Sequence, residues 1–272
     1  MTNVYTHGHH ESVLRSHRWR TAENSAGYVL PLLRPGMRVL DVGCGPGTIT
    51  MDLAELVGPE GRVTALERTE DALDLARGEA ERRGTVKVDF AVGDVHQLVD
   101  LPDGGADAGF DVVHAHQVLQ HVNDPVGALR ELRRVCRAGG VVAARDSDYA
   151  GFTWFPEVPE LDRWLEVYRR VARSNDAEPD AGRRLLSWAQ EAGFPDVTAG
   201  SSTWCYSTPI DRAWWGGLWA DRIVESDVAR QAVERGIATV AELAVIAAGW
   251  RRWADQDAGW FSVLHGEILA RA

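Results

Sequence analysis

The sequence predicts an α/β fold built on a mostly parallel sheet, and three observations carry that expectation. β-rich runs alternate with single helices between residues 37 and 148, the first run ends in a glycine-rich turn, and the helices stop at glycines. Such alternation implies right-handed crossovers and a sheet covered on both faces.

The elements follow in order. "MRVLDVG" (37–43) reads as the first strand, and "TITMDLAELVG" (48–58) has helical spacing closed by Gly58. "GRVTALE" (61–67) is a second strand and "EDALDLARGEAERRG" (70–84) a helix with a polar face. "VKVDFAVGD" (86–94) alternates as a strand should, and "FDVVHAHQ" (110–117) is another. "DPVGALRELRRVCRAGG" (124–140) has Pro125 in its first helical turn and ends in paired glycines before the strand "VVAARDSD" (141–148). Beyond residue 150, helices are expected over 157–175, 180–194, 211–236 and 239–256, and strands over 196–209 and 259–272. Ahead of the first strand, residues 17–33 read as one helix whose apolar face (Ala26, Val29, Leu30, Leu33) docks on the sheet, with Arg18, Arg20 and Asn24 near its mouth as a lid.

Bulk properties narrow the function. The chain has 272 residues and 45% hydrophobic content, enough for a sizeable core. A net charge of −11 repels phosphate backbones and argues against a nucleic-acid partner. No run approaches a membrane span and the N-terminus lacks an apolar signal core, so a cytoplasmic chain is expected, as a monomer or homodimer. Cys44, Cys136 and Cys205 are scattered and form no CxxC pair, which suggests neither disulfide nor zinc. "HGHH" (7–10) reads as a polar lead-in, and no metal is expected.

The chemistry starts at "VLDVGCGPGTIT" (39–50). A strand, a bare turn and a helix N-terminus form a cofactor cradle, because the turn lets backbone N–H groups approach a ligand closely. The spacing is Gly43-x-Gly45-x-Gly47 rather than GxGxxG, and Asp41 precedes it. A carboxylate there suits an ammonium group better than a pyrophosphate, which favours S-adenosylmethionine over a dinucleotide.

The sequence resembles the class I S-adenosylmethionine-dependent methyltransferases, of the ubiquinone/menaquinone-biosynthesis-like group. "VLDVGCGPG", "VTALERT", "VGDVHQL", "FDVVHAHQVLQHVNDP" and "LRRVCRAGGVV" fall in register over residues 37–148, with Arg137-Ala138 where Lys-Pro is commoner in the family. The resemblance implies a Rossmann-like seven-stranded sheet with an antiparallel last strand, plus helical cap insertions at 149–179 and 211–257. Residues 1–36 would then be a helical cover, 37–148 the cofactor-binding core, and 149–272 the remainder of the sheet with its cap. It also implies a cofactor site of Asp41, Gly43, Cys44, Gly45, Gly47, Glu67, Arg68, Asp94, Val95, His116 and Gln117. Glu67 would accept the ribose hydroxyls, Asp94 and the Val95 N–H would read adenine, and His116 and Gln117 would face the methionine part.

Catalytic candidates are His116, Asp146 and Tyr149, from strand ends where a base could meet the acceptor. His114 shares a face with His116, and His121 reads as a loop contact. Ten of the eleven tryptophans lie after residue 150. Tyr5, Trp154, Trp204, Trp214 and Trp215, with Trp219 beside them, are the candidates for an apolar substrate wall. A small aromatic or indole-like acceptor in secondary metabolism, methylated at carbon or nitrogen, is the leading reading. A quinone-precursor methyltransferase, a fold that binds the cofactor without methyl transfer, and a nicotinamide oxidoreductase compete with it.

Overall fold

A computed structural model describes residues 11–84, 87–99, 101 and 109–272. Tyr5 and the histidines at 7, 9 and 10 lie outside the described residues. Among those described, eight strands form one sheet: β1 (Arg38–Val42), β2 (Arg62–Glu67), β3 (Val88–Val92), β4 (Phe110–His116), β5 (Cys136–Ser147), β6 (Thr153–Phe155), β7 (Asp196–Tyr206) and β8 (Trp260–Arg271). Their order is β3-β2-β1-β4-β5-β8-β6, with β7 on the other edge of β8.

β8 alone runs against the rest, pairing antiparallel with β5 from Val141↔Arg271 to Ser147↔His265 and with β7 from Asp196↔Arg271 to Tyr206↔Phe261. The sheet therefore has eight strands rather than the expected seven. The extra one is β6, which takes up the edge of β8 that β5 leaves free, at Thr153↔Ser262 to Phe155↔Trp260. Three residues are too few to show an alternation in the sequence.

The parallel crossovers are α3 (Thr48–Val57), α4 (Glu70–Arg83) and α5 (Pro125–Val135). Thr69 and Asp124 cap α4 and α5 through their side-chain oxygens, and Gly84 closes α4 in the left-handed conformation. The paired glycines at 139–140 do not end α5. The strand β5 already starts at Cys136, and a Cβ on Gly140 would lie 2.9 Å from the Asp111 carbonyl.

The N-terminal cover is not one helix but two, α1 (Glu11–Arg18) and α2 (Ala22–Ala26), followed by a 3-10 turn at Leu30–Leu32. Thr21 and Asn24 form a reciprocal capping box that starts α2 afresh. The expected apolar residues of this segment dock: Ala26, Val29 and Leu33, with Leu30 partly buried beside them, pack with Val39, Val112 and Ala143 of one sheet face and with Leu53 of α3. The opposite face, with Leu40, Val113, Val142 and Ile268, packs against α5 and α7 (Leu185–Glu191).

The remaining helices, α6 (Pro159–Arg173), α8 (Pro209–Glu225), α9 (Asp227–Glu234) and α10 (Val240–Ala254), enclose a separate aromatic core with the end of β8. Ser226 splits the expected 211–236 helix by capping α9. In that core Trp164 meets Trp219 and Trp250 edge-on, with centroids 4.5 and 4.8 Å apart. Most of the tryptophan enrichment is thus packing. No helix among the described residues is long and apolar enough to cross a membrane.

Candidate active site

The three glycines of the turn serve different neighbours. All have positive φ, at +67° for Gly43, +54° for Gly45 and +79° for Gly47. A Cβ on Gly43 would lie 2.6 Å from Val118 Cγ2, and one on Gly47 would lie 2.9 Å from Ala76 Cβ, so these two let the protein close on itself. Among the described residues, a Cβ on Gly45 would find only His17 Nδ1, 3.9 Å away. Gly45 is bare toward open space, at the rim of a cavity of about 400 Å³.

The cavity runs across the carboxyl ends of the strands, where ligands bind in open α/β sheets. On the β1–β3 side it is lined by Asp41, Gly43, Cys44, Gly45, Glu67, Arg68, Asp94 and Val95. Gly47 does not line it. The Gly45 N–H donates to Glu67 Oε1 (3.1 Å) and the Arg68 N–H to Glu67 Oε2 (2.9 Å), which fixes that carboxylate at the end of β2. Partial burial opposes ionisation of Asp94, but the backbone and ring N–H of His96, both reaching Oδ1, outweigh it and lower the pKa. Burial pushes the Cys44 thiol well up, so it stays a neutral packing group.

Asp41 is 2% exposed and already engaged. Its Oδ1 accepts from His114 Nδ1 (2.8 Å) and its Oδ2 from Thr50 Oγ1 (2.5 Å), so β1, β4 and α3 meet on one carboxylate.

Beyond β4 the lining turns aromatic, with Tyr149, Phe152, Trp204, Trp215 and Trp219. Tyr149 stacks on Phe152 and Tyr168 at 4.4 and 4.0 Å, and burial raises its phenol pKa, so it remains protonated. Trp154 and Trp214 do not line the cavity. Trp154 lies flat on Phe261 in the cap core (5.5 Å), and Trp214 packs on Trp19 (5.4 Å).

Between the two halves stand His116 and Gln117. His116 is 5% exposed, and neither ring nitrogen has a hydrogen-bond partner among the described residues. Burial, then the charges of Arg20 and Arg145, hold its pKa well below the ordinary value, so the imidazole is neutral. Gln117 adopts φ +55°, a costly conformation for a side-chain-bearing residue. Its Nε2 donates to Ser147 Oγ and to His265 Nε2, both at 2.9 Å, and its Oε1 accepts from Arg20 Nη2 at 2.6 Å. The short Nδ1 contact of His265 to the Val263 carbonyl (3.1 Å) assigns the proton to Nδ1 and leaves Nε2 as the acceptor. Arg20 and the Asn24 carbonyl, which accepts from Trp204 Nε1 (2.6 Å), thus tie the N-terminal segment to the site, while Arg18 is exposed.

Asp146 is not brought to the cavity. His116 pairs with Arg145 across the sheet, so Asp146 points to the opposite face. There its Oδ1 accepts from the Gln120 N–H (3.0 Å), and burial raises its pKa to about 7. His121 lines the cavity, contacts Gln120 Nε2 (3.0 Å) and is pushed down to about 3 by burial and by Arg20.

Sequence reasoning missed Phe152, Arg222, His17 and His265. Only Arg222 left a signal: it continues the stripe Trp215, Trp219, Arg222 along α8, a charge at an apolar position.

A family model described as a methyltransferase domain matches residues 33–193. The chain belongs to the class I methyltransferases, which use S-adenosylmethionine. An uncharacterised methyltransferase of Schizosaccharomyces pombe is 32% identical over 97% of this chain and 95% of its own length. A protein named probable methyltransferase ltbC, from Aspergillus luteorubrus, is 28% identical over 99% of this chain and 97% of its own. Among solved structures, the YcgJ protein of Bacillus subtilis superposes with a TM-score of 0.56 at 19% identity, covering 92% of this chain and 98% of that one, a likeness of fold.

The methyltransferase's residues fit that cofactor. The open face of Gly45, the fixed Glu67 carboxylate and the α3 N-terminus form a cradle without a basic side chain from the turn itself, which suits a nucleoside lacking phosphate.

Proposed function

We propose that this methyltransferase acts on a small aromatic or heteroaromatic molecule, indole-like in size, at carbon or nitrogen, in secondary metabolism. The observation that carries the reading is the aromatic lining of Tyr149, Phe152, Trp204, Trp215 and Trp219 in the same cavity as the glycine turn. π faces stack on a flat acceptor and stabilise the positive charge it develops on alkylation.

When bound, the cofactor supplies a methyl carbon made electrophilic by its sulfonium. The chain's own residues hold and orient. Gly43, Gly45 and the α3 N-terminus would carry the amino-acid end, Glu67 the ribose hydroxyls, and Asp94 with the Val95 N–H the adenine. Asp41 takes part from a carboxylate already shared with His114 and Thr50. Gln117 and Arg20 close the wall beside the reacting groups. Alignment alone accounts for several kcal/mol of such a barrier. The neutral His116 then takes the proton that a methylated N–H or aromatic C–H sheds. Its depressed pKa makes it a weak base, and a weak base suffices because a methylated, cationic ring is strongly acidic.

Purified enzyme given methyl-labelled cofactor and a panel of indoles, phenols and amines tests the reading. Label should pass to a ring-containing acceptor; transfer to a quinone precursor alone would discard it.

A further inference from the structure

Gln117 is the strained residue of the cavity wall. A φ of +55° is disfavoured for glutamine, whose side chain is too long to bond its own backbone there as Asn or Asp can. Such a conformation persists only where the surroundings over-determine it, and it points to a use.

Register shows what the strain achieves. His116 stands opposite Arg145, and Ser147 and His265, paired with each other, lie further along on the same face. A strand continued through Gln117 would send its side chain to the opposite face, where Asp146 is buried. Instead the amide reaches Ser147 Oγ and His265 Nε2, both at 2.9 Å, while the Gln117 N–H still donates to the Arg145 carbonyl at 2.7 Å. The left-handed turn thus sets two consecutive side chains, His116 and Gln117, on one wall of the cavity.

That wall lies under the N-terminal cover. Leu14, Ser16, His17 and Arg20 line the cavity from the cover, with His17 Nδ1 facing the bare side of Gly45. The cover is fastened at both flanks. Beside α3, the Ala22 N–H donates to Asp52 Oδ2 (2.7 Å) and Thr48 Oγ1 to the His17 carbonyl (3.4 Å). Beside β7 and α8, Trp19 packs on Trp204 and Trp214 (5.3 and 5.4 Å). Between these flanks Arg20 Nη2 donates to Gln117 Oε1 at 2.6 Å, a charge-assisted bond to an amide that Ser147 and His265 hold in place. One side chain therefore joins the cover to β4, β5 and β8, three strands that are neighbours in the sheet.

We infer that Gln117 is a positioning residue that latches the cover across the cofactor cradle, acting on the bound cofactor through Arg20. The latch rests on the family's cofactor and on no particular acceptor, so the aromatic reading above can fail without it.

The test measures hydrogen exchange over residues 14–26 and the dissociation rate of S-adenosylhomocysteine, both on the full chain. In Gln117→Leu the ligand-free cover should exchange about tenfold faster and S-adenosylhomocysteine should leave about tenfold faster, as loss of one charge-assisted bond implies. Exchange in α5, on the far face of the sheet, should stay as it is. Gln117→Glu, whose carboxylate accepts from Arg20, should restore most of both rates. Arg20→Met reads the same two rates without disturbing Ser147 or His265; it should match Gln117→Leu and add little to it in the double variant, because both break one contact. The inference is overturned if the cover of Gln117→Leu or Arg20→Met exchanges as the wild type does, or if exchange rises equally in α5. It is overturned as well if glutamate is no better than leucine, or if the effects of the two substitutions on dissociation multiply.

Discussion

The contact between His114 and Asp41 is the sharpest place to test how the cofactor cradle is held. Replacing His114 by leucine removes the proton donor to Asp41 Oδ1 and leaves that buried oxygen without its partner. Among the described residues, the other ring nitrogen of His114 has no hydrogen bond to lose. A hydrogen bond to a charged group is worth about 1.5–3 kcal/mol, and leucine at the same site recovers little of it, so a loss of about 2–3 kcal/mol is expected. For a domain of this size that lowers the melting temperature by roughly 4–12 °C.

Stability alone would not separate a strut from a positioning residue. Asp41 lines the cavity beside Gly43, so a carboxylate released from His114 should also weaken S-adenosylmethionine binding, by about tenfold if one charge-assisted contact is lost. His114→Asn carries an amide N–H near the position of Nδ1 and should recover most of both losses. Calorimetric titration and a melting curve on the two variants read this directly. If His114→Leu melts and binds as the wild type does, or if asparagine is no better than leucine in either measurement, Asp41 is not held from β4.

Other residues give equally definite expectations. Asp146, its pKa raised to about 7 by burial, binds its proton more tightly folded than unfolded, so its contribution to stability is present at low pH and is lost as pH rises toward 7. The difference amounts to the order of 4 kcal/mol. Asp146→Asn should therefore melt above the wild type at pH 8 and lose that advantage near pH 4, and parallel melting-versus-pH curves would contradict it. Trp250→Ala should cost about 3–5 kcal/mol by opening the cap core while leaving affinity for S-adenosylhomocysteine intact at low temperature, since Trp250 is fully buried away from the cavity. Gly266→Ala would drive a Cβ into the Gly182 carbonyl and should destabilise by about 1–3 kcal/mol or more in thermal melts, with Gly200→Ala on the partner strand nearly neutral.

What the sequence discloses is what short chain segments can specify. Asp41, the three glycines, Glu67 and Asp94 each follow directly from the end of one strand, so spacing alone puts them at the carboxyl edge of the sheet. Asp146 shows the limit. Its neighbour Arg145 shares a face with His116 only because those two residues are in register, and a slip of one position would have turned Asp146 toward the cavity. Nothing local records that register. Arg222 and His265 reach the site from elements placed by tertiary packing, more than 100 residues from His116. The break in the N-terminal helix was by contrast readable, since Thr21 and Asn24 have the spacing of a capping box.

Register also bears on the proposal that His116 is the proton acceptor. Rows across the sheet place Asp41 with His114, His116 with Arg145 and Glu267, and Ser147 with His265, all on the face beneath the N-terminal cover. Burying such rows is tolerable because the members other than His116 find a partner close by: His114 on Asp41, Arg145 on Glu267 and Ser202, His265 on Gln117 and Val263. His114 and Arg145 each keep one polar atom without a partner, yet another atom anchors them. His116 has no such anchor; both nitrogens lack hydrogen bonds in a residue that lines the cavity. A histidine serving only to pack would be replaced by leucine at no loss of hydrogen bonding, whereas one that must accept a proton from a ligand needs its nitrogens uncommitted until the ligand arrives.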